Sequence, residues 1–298
     1  MQLYTTSFQA MGCPCELRLF AGSAAVAQDA AAACISEARR FERKYSRYLD
    51  TSVTSLINRS AGVSATPIDP ETFSLLQYAD VCYEQSQGLF DITSGVLRKV
   101  WNKDRQTLPG QAELNEITRL VGWDKVRLSE SEFFLPQRGM EIDFGGVVKE
   151  YAADAIAMRV RSSGISAALV SLGGDIVTFG AQLAGAAWPV GIVHPTRKSS
   201  VIATIYLKDM ALATSGGYAR YFDLQGKRYS HLINPNTGWP VDSLLSVSVS
   251  TEQAVVAGSI SSIALLYDRQ EALEWLENCG CAYFAIDQDL SCYGNLGG

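Results

Sequence analysis

The stretch M-E-I-D-F-G-G-V-V-K-E-Y-A-A-D, residues 140–154, predicts a strand, a glycine pair and a helix. Polar and apolar residues alternate over Glu141–Phe144, as they do in a half-buried strand. Gly145 and Gly146 permit a sharp turn and let a ligand approach the backbone closely. Apolar residues at helical spacing follow from Val148 onward, so the free N–H groups of a helix start lie beside the glycine pair.

A helix start of this kind offers backbone N–H groups to an anion, and Lys149 can add a full positive charge. These features predict a phosphate site. An ordinary strand-to-helix turn, with Lys149 pointing into solvent, explains the same residues, and both interpretations stay open at this point. The stretch matches neither G-x-G-x-x-G nor a P-loop, so no standard nucleotide-binding motif applies.

Length and charge limit the class of protein. The 298 residues predict one domain over residues 1–298, possibly built as two closely packed lobes. A formal net charge of −6 and the lack of a basic run argue against nucleic-acid binding. No apolar run approaches the roughly 18 residues that span a bilayer. Residues 1–20 lack the pattern of a signal peptide, so we expect a cytoplasmic chain, or else an exported mature form without its leader.

The seven cysteines are an odd number in a chain too long to need disulfides, which indicates a reducing compartment. Two C-x-C pairs are present, Cys13 with Cys15 and Cys279 with Cys281. They could form a four-thiolate metal site, although C-x-x-C is the usual zinc spacing. The alternative is that they are buried structural cysteines.

Strand and helix patterns follow one another irregularly, without repeated βαβ units. This order predicts the α+β class, with mixed, largely antiparallel sheets flanked by helices. Asp69 is expected to cap a helix whose first residue is Pro70. Thr214–Tyr218 is expected to form a glycine-rich turn.

Four polar glycine clusters each follow a predicted strand. They are Gly145-Gly146, Gly173-Gly174-Asp175, Ser215-Gly216-Gly217 and Asn234–Gly238. A single cluster of this kind carries no information about function. Four of them in about a hundred residues predict an extended ligand lying against the backbone, such as a dinucleotide with a central pyrophosphate.

The chain contains two histidines. His194 is expected at the surface, at a strand end. His231 lies in a polar segment among the glycine clusters, where it is either a general base or a structural residue. Asp143, Asp154 and Asp175 also lie near these clusters, and each can serve as a cap or a turn residue instead of a ligand.

Several motifs occur in a fixed order along nearly the whole chain. They are Met11-Gly12; Tyr45–Tyr48 with Ser55–Asn58; Phe90–Leu97 with Trp101; Asp143–Lys149 with Tyr151 and Asp154; Leu172–Asp175 with Gly180; Thr214–Gly216 with Tyr218; and His231–Pro240. Together they resemble the motifs of the FAD:protein FMN transferases, the ApbE family. The resemblance implies an ApbE-like, T-fold-like architecture.

The resemblance also implies a function. Enzymes of this family bind FAD in a groove between sheet and helices, with a divalent cation, usually Mg²⁺, on the pyrophosphate. A threonine or serine hydroxyl of a partner protein attacks the FMN phosphorus, and AMP leaves. Phosphoryl transfer of this kind needs positioning and charge neutralisation, which backbone N–H groups, a lysine and a metal can supply.

Matching the motifs residue by residue implies roles for particular side chains. Met11 and Tyr48 would lie near the isoalloxazine ring, and His231 would activate the attacking hydroxyl. The residues implied to line the rest of the FAD groove are Asn58, Gly145, Gly146, Lys149, Asp154, Gly173, Gly174, Asp175, Thr214, Ser215 and Gly216.

The chain departs from the family pattern at the implied metal site. Glu150 replaces a glycine, and Val148 replaces an alanine whose carbonyl ligates the metal. Gly258 replaces the aspartate that holds the metal, and Ser262 replaces a threonine. Loss of that carboxylate is expected to weaken Mg²⁺ binding. Glu150 could supply a substitute, or its charge could disfavour FAD. Two functions therefore remain: a transferase, or a family member that binds FAD and has lost transfer.

Overall fold

A computed structural model of the chain describes residues 1–197, 200–218 and 220–297. Its helices are α1 (Ala24–Tyr45), α2 (Val53–Arg59), α3 (Pro70–Gln85), α4 (Gln111–Thr118), α5 (Val148–Arg161), α6 (Ala254–Leu266) and α7 (Arg269–Asn278). Short 3₁₀ segments occur at Ile92–Lys99, Trp123–Lys125 and Leu183–Gly185. Its strands are β1 (Gln2–Ala10), β2 (Cys13–Ala21), β3 (Thr66–Pro67), β4 (Arg127–Leu128), β5 (Glu132–Phe134), β6 (Ala167–Leu172), β7 (Asp175–Phe179), β8 (Trp188–Val193), β9 (Val201–Leu207), β10 (Ala211–Gly216), β11 (Tyr221–Leu224), β12 (Lys227–Ser230), β13 (Leu244–Thr251), β14 (Ala282–Asp287) and β15 (Cys292–Gly294).

The main sheet has eight strands in the order β1-β2-β6-β7-β10-β13-β14-β15. Every adjacent pair in this order runs antiparallel. Three smaller sheets pair β3-β5-β4, β8-β9 and β11-β12. The prediction of an α+β protein with largely antiparallel sheets is therefore confirmed.

Two buried helices connect this sheet to the rest of the core. α5 packs on α1, β6, β7 and α6, and α6 packs on β10 and β13. α6 has no charged residue and is buried on nearly every side, as expected for a helix with apolar or small residues all round. The residues of α5 and α6 that face each other therefore meet in the interior, close to the ends of β7 and β10.

The strand predicted at Glu141–Phe144 is wrong. The amide of Asn58 replaces a neighbouring strand, because its Oδ1 accepts from the Ile142 N–H at 2.7 Å and its Nδ2 donates to the Ile142 carbonyl at 3.1 Å. The Asp143 N–H then donates to the Ile92 carbonyl at 2.9 Å. These contacts satisfy the backbone of an extended segment without a ladder. The helix predicted after the glycine pair is confirmed, as α5.

The turn predicted at Thr214–Tyr218 is also wrong over its first half. Thr214, Ser215 and Gly216 are the last residues of β10 and pair with β13. Gly216 is required by close contact and not by a turn, because a Cβ there would lie 2.9 Å from the Leu245 carbonyl oxygen. These residues consequently present their alternating side chains to the two faces of the main sheet.

His194 was expected at the surface, and this expectation is wrong as well. The residue is buried, and its Nδ1 accepts from the backbone N–H groups of Thr196 and Arg197, each at 3.3 Å. Arg197 also contacts the imidazole Nε2. His194 therefore stabilises the turn that follows β8.

Candidate active site

Lys149, at the start of α5, lies between two buried carboxylates. Its Nζ forms an ion pair with Asp175 Oδ2 and another, at 3.2 Å, with Glu150 Oε1. Asp175 is 2% exposed and Glu150 is 6% exposed. The three side chains carry a formal charge of −1, so a phosphate bound here needs an additional cation.

The turn at Gly173 and Gly174 lies directly against Lys149. A Cβ on Gly173 would lie 2.9 Å from Cys13 Sγ and 3.6 Å from Lys149 Cδ, so no side chain fits there. Gly174 has φ +98° and faces open space. The backbone at Gly174 is therefore open to solvent, next to the turn that contacts the lysine.

A backbone N–H connects the end of β10 to β7, and a hydroxyl connects it to α6. Asp175 Oδ1 accepts from the Thr214 N–H at 3.3 Å. Ser215 Oγ lies 2.9 Å from the hydroxyls of both Ser261 and Ser262. The backbone of Thr214 is therefore tied to Asp175, the partner of Lys149, while the Ser215 side chain is tied to Ser262 of α6.

Glu150 occupies the space that a side chain at position 258 would need. A Cβ on Gly258 would lie 2.6 Å from Glu150 Cγ and 3.1 Å from its Cδ. Glu150 Oε2 is buried and has no hydrogen-bond partner among the described residues. A buried carboxylate oxygen without a partner is costly, and a cation can satisfy it.

The described part of the chain contains no cluster of three or more His, Cys, Asp or Glu side chains arranged to hold a metal ion. The four-thiolate site considered for the two C-x-C pairs is therefore wrong. Cys13 and Cys15 lie in β2, and Cys281 follows α7 and donates to the Cys279 carbonyl at 3.5 Å.

His231 follows β12 and is half-buried. Its Nδ1 lies 3.0 Å from the Arg220 carbonyl oxygen. Because a carbonyl only accepts, Nδ1 carries the proton and Nε2 keeps its lone pair. Burial, together with the charges of Arg98 and Arg220, lowers the pKa of His231 from 6.5 to about 4, although the hydrogen bond to the Arg220 carbonyl opposes this shift. His231 is therefore neutral at pH 7, with Nε2 able to accept a proton.

The loop that carries His231 is held to the core by specific contacts. Asn234 Oδ1 accepts from the N–H groups of Asn236 at 2.9 Å and Thr237 at 3.2 Å. The buried Trp101 donates its Nε1–H to the Gly238 carbonyl at 2.7 Å. The position of His231 is thus fixed relative to the segment around Trp101.

An ion-pair network, which the sequence did not predict, surrounds Asp143 beside the first glycine pair. Asp143 contacts Arg47 at 3.2 Å and Arg98 at 3.3 Å, and its Oδ1 accepts from the Gly145 N–H at 2.9 Å. Burial opposes ionisation of Asp143, but the two arginines and the Gly145 N–H outweigh it, so the pKa lies below its usual value. The charge of Arg98 acts on both Asp143 and His231.

Asn58 and Asp154 have structural contacts that their implied roles did not include. The Asn58 amide binds the backbone of Ile142 through both polar atoms. Asp154 accepts from the N–H groups of Ala254 at 2.8 Å and Val255 at 3.0 Å. Asp154 therefore caps the first turn of α6 from α5, where the N-cap residue Gln253 makes no side-chain hydrogen bond.

Replacing Asp154 with alanine is expected to lower the free energy of unfolding by about 1–3 kcal/mol, because two buried N–H groups lose their acceptor. Urea denaturation followed by circular dichroism would measure the change. Asp29→Ala, at an exposed position of α1, is the matched control and should change stability by less than about 0.5 kcal/mol. Equal stability of Asp154→Ala and the parent would contradict the capping role.

The two residues implied near the flavin ring differ in their surroundings. Met11 lies in the β1–β2 turn at φ +54°, and its N–H donates to Glu42 Oε1 at 2.9 Å. Tyr48 is 80% exposed. A ligand ring can therefore cover the Tyr48 ring, and stacking on an exposed tyrosine is favourable.

The fold and these contacts define a class: an α+β protein with a half-buried lysine between two buried carboxylates, next to a glycine turn, and a neutral histidine on a loop. A sequence profile described as the ApbE family matches residues 11–285. The chain belongs to the ApbE family.

Relatives with curated names are similar over most of the chain. An FAD:protein FMN transferase from Salmonella typhimurium is 30% identical over 251 residues, covering 81% of this chain and 72% of the relative. The FAD:protein FMN transferase of Klebsiella pneumoniae is 29% identical over 254 residues, covering 83% and 77%.

Solved structures are similar as well. The ApbE protein of Thermotoga maritima superposes with a TM-score of 0.91 at 28% identity, covering 99% of this chain and 97% of the other. The flavin transferase ApbE of Vibrio cholerae, with a TM-score of 0.85 at 21% identity over 100% and 97% of the two chains, shares the fold. Within the described residues, no helix has both the length and the apolar character needed to cross a membrane.

Proposed function

We propose that the protein binds FAD and transfers its FMN moiety to a threonine or serine hydroxyl of a partner protein, releasing AMP. The observation that carries the proposal is His231, which is neutral and has its Nδ1 proton held by the Arg220 carbonyl. A hydroxyl nucleophile needs a base of this kind, and FAD is the substrate in the names of the relatives.

The groove residues then have distinct tasks. Lys149 and the backbone at Gly174 neutralise and hold the pyrophosphate, and Tyr48 covers the flavin ring. His231 Nε2 takes the proton of the acceptor hydroxyl as its oxygen bonds to the FMN phosphorus. The bond from that phosphorus to the oxygen of AMP breaks, and AMP leaves with the electron pair. Positioning and charge neutralisation supply most of the rate in such a transfer.

Charge balance supports a divalent cation at this site. Lys149, Glu150 and Asp175 sum to −1, and a pyrophosphate adds about −2. A bound Mg²⁺ would neutralise most of that charge and polarise the reacting phosphate. The residues that fit it are Glu150 through its unpartnered Oε2, the Val148 carbonyl and the Ser262 hydroxyl, because Mg²⁺ prefers oxygen ligands.

A second function remains: FAD binding without transfer. The observation that favours it is the ion pair between Glu150 Oε1 and Lys149, which engages the carboxylate next to Gly258. If that carboxylate does not turn to the dication, the Val148 carbonyl and the Ser262 hydroxyl are neutral ligands and hold it weakly. Assay of FMN transfer to a threonine-bearing peptide, followed by flavin fluorescence in a gel, separates the two functions.

FAD binding that depends on both Lys149 and Mg²⁺ is expected. Calorimetric titration should give a Kd below about 100 µM, equivalent to about −5.5 kcal/mol, with Mg²⁺ present. Chelation of Mg²⁺ with EDTA, or Lys149→Met, should weaken binding by about tenfold or more, since each removes neutralising charge. Lys208→Met, at an exposed position, is the control. The absence of heat at 100 µM FAD under both conditions would contradict the proposal.

The pH dependence of transfer is expected to follow His231. Because its pKa is lowered to about 4, the base stays deprotonated at neutral pH. The value of kcat/KM should therefore be constant down to roughly pH 5 and then fall, as protonation removes the base. A fall of kcat/KM centred near pH 6.5, the ordinary pKa of histidine, would show that the imidazole is solvated in the working enzyme.

A further inference from the structure

Cys13 and Cys15 place two thiols together next to the Gly173 turn. They alternate along β2, so both side chains point to the same face of the sheet. Their Sγ atoms are 4.0 Å apart, and both thiols donate to the Ala10 carbonyl, at 3.3 and 3.7 Å. Cys13 is 6% exposed and Cys15 is 3% exposed.

The Cys13 thiol differs from Cys15 in its electrostatic surroundings. A hydrogen bond from Cys15 lowers the pKa of Cys13 to about 7, and the charges of Lys149 and Arg220 act in the same direction. The pKa of Cys15 is raised by that hydrogen bond and by burial. The pair thus combines one sulfur that is readily a thiolate with a second that stays protonated beside it.

The other C-x-C pair provides an internal comparison. Burial raises the pKa of Cys279 to about 11, and Cys281 donates to its carbonyl. That pair lies after α7, and no lysine or arginine charge contributes to the pKa shift of Cys279. Only the pair in β2 therefore combines thiol proximity, a nearby cation and contact with the Gly173 turn.

We propose that Cys13 and Cys15 form an oxidation site that closes the groove to its dinucleotide when a peroxide converts the two thiols to a disulfide. The effect on FAD rests on the proposed function, whereas the disulfide itself does not. The Cys13 thiolate attacks one peroxide oxygen, and the O–O bond breaks. Sulfenic acid forms, and water leaves after protonation. The Cys15 sulfur then bonds to the Cys13 sulfur, and its proton leaves with the hydroxyl as a second water.

Disulfide formation changes the groove for a steric reason. The two sulfurs must approach from 4.0 Å to about 2.05 Å. Cys13 Sγ lies 2.9 Å from the position that a Cβ on Gly173 would occupy. The Gly173 N–H also donates to the Pro14 carbonyl at 2.9 Å. Movement of the β2 start therefore shifts the Gly173 turn.

Peroxide treatment of the reduced full chain tests the site. Peptide mass mapping should show a loss of two hydrogens in the tryptic peptide of residues 1–18, which contains both cysteines and precedes the next tryptic site. This change should precede oxidation of Cys279 and Cys281, and excess FAD should slow it. Cys15→Ser should lack the disulfide and form only a sulfenic or higher acid at Cys13. Cys281→Ser is the matched control and should oxidise in residues 1–18 like the parent.

Calorimetric titration with FAD before and after oxidation tests the closure. The disulfide form should bind FAD about tenfold or more weakly, and dithiothreitol should restore the affinity. Failure of the peptide of residues 1–18 to form the disulfide would overturn the site, whether or not FAD binds. A disulfide form with unchanged FAD affinity would overturn the closure. If the reduced protein binds no FAD, the proposed function fails while the disulfide mapping still decides the site.

Discussion

His231→Ala is expected to lower the rate of FMN transfer by about 10²–10⁴-fold and to leave FAD affinity nearly unchanged. The imidazole acts on the attacking hydroxyl, while Lys149 and the glycine turns hold the dinucleotide. Removing the base should therefore lower kcat without a matching rise in the FAD Kd. Single-turnover transfer to an acceptor peptide, with FAD binding measured in parallel, separates these two quantities.

The control for this change is the other histidine. His194→Gln alters a buried residue that holds the turn after β8, so it can lower stability but should keep transfer per folded molecule. Comparable transfer by His231→Ala and the parent would remove His231 from the mechanism. Parallel loss of FAD binding in His231→Ala would instead indicate that the histidine holds the ligand.

Local patterns predicted the parts of the site that depend on nearby residues. The glycine pair and the apolar spacing after it predict the helix that starts at Val148. The adjacent glycines Gly173 and Gly174 predict a turn, and both have positive φ in the structure. Such signals lie within a few residues of the feature they determine, so one sequence is sufficient.

Contacts between distant residues were not predictable in this way. The sequence around Ile142 predicts a strand. The hydrogen bonds from the amide of Asn58, 84 residues away, explain why this segment does not pair in a sheet. Nothing near Asp154 in sequence indicates that it caps α6. The effect of the Arg98 charge on His231 likewise depends on how close the loop brings the two residues, which tertiary packing determines.

The relation between Glu150 and Gly258 was the most informative contact of this kind. From sequence, Gly258 was a lost carboxylate, and Glu150 was either a substitute for it or an added charge that disfavours FAD; the sequence did not indicate how the two residues contact each other. The structure brings them together, because the Glu150 side chain fills the space above Gly258. A carboxylate at either position can occupy this space, but both cannot occupy it at once.

A reciprocal exchange of these two residues is therefore expected to behave differently from either single change. Gly258→Asp alone should destabilise the fold by about 1–3 kcal/mol, because its Cβ would meet Glu150. Glu150→Ala alone should weaken Mg²⁺ binding in the presence of FAD by about tenfold or more, because the site keeps only neutral ligands. The double change Glu150→Ala with Gly258→Asp removes the clash and restores one carboxylate, so both stability and Mg²⁺ affinity should recover.

Calorimetry with Mg²⁺ and urea denaturation on all four proteins give a double-mutant cycle, in which a coupling beyond about 0.5 kcal/mol is meaningful. The control is Gly258→Ala, made with and without Glu150→Ala, because it adds the Cβ that meets Glu150 but adds no charge. If the exchanged protein binds Mg²⁺ no better than Glu150→Ala, then position 258 does not face the cation. If Glu150→Ala keeps the Mg²⁺ affinity of the parent, the cation is held by other oxygens, and the Glu150 carboxylate serves only to balance the charge of Lys149.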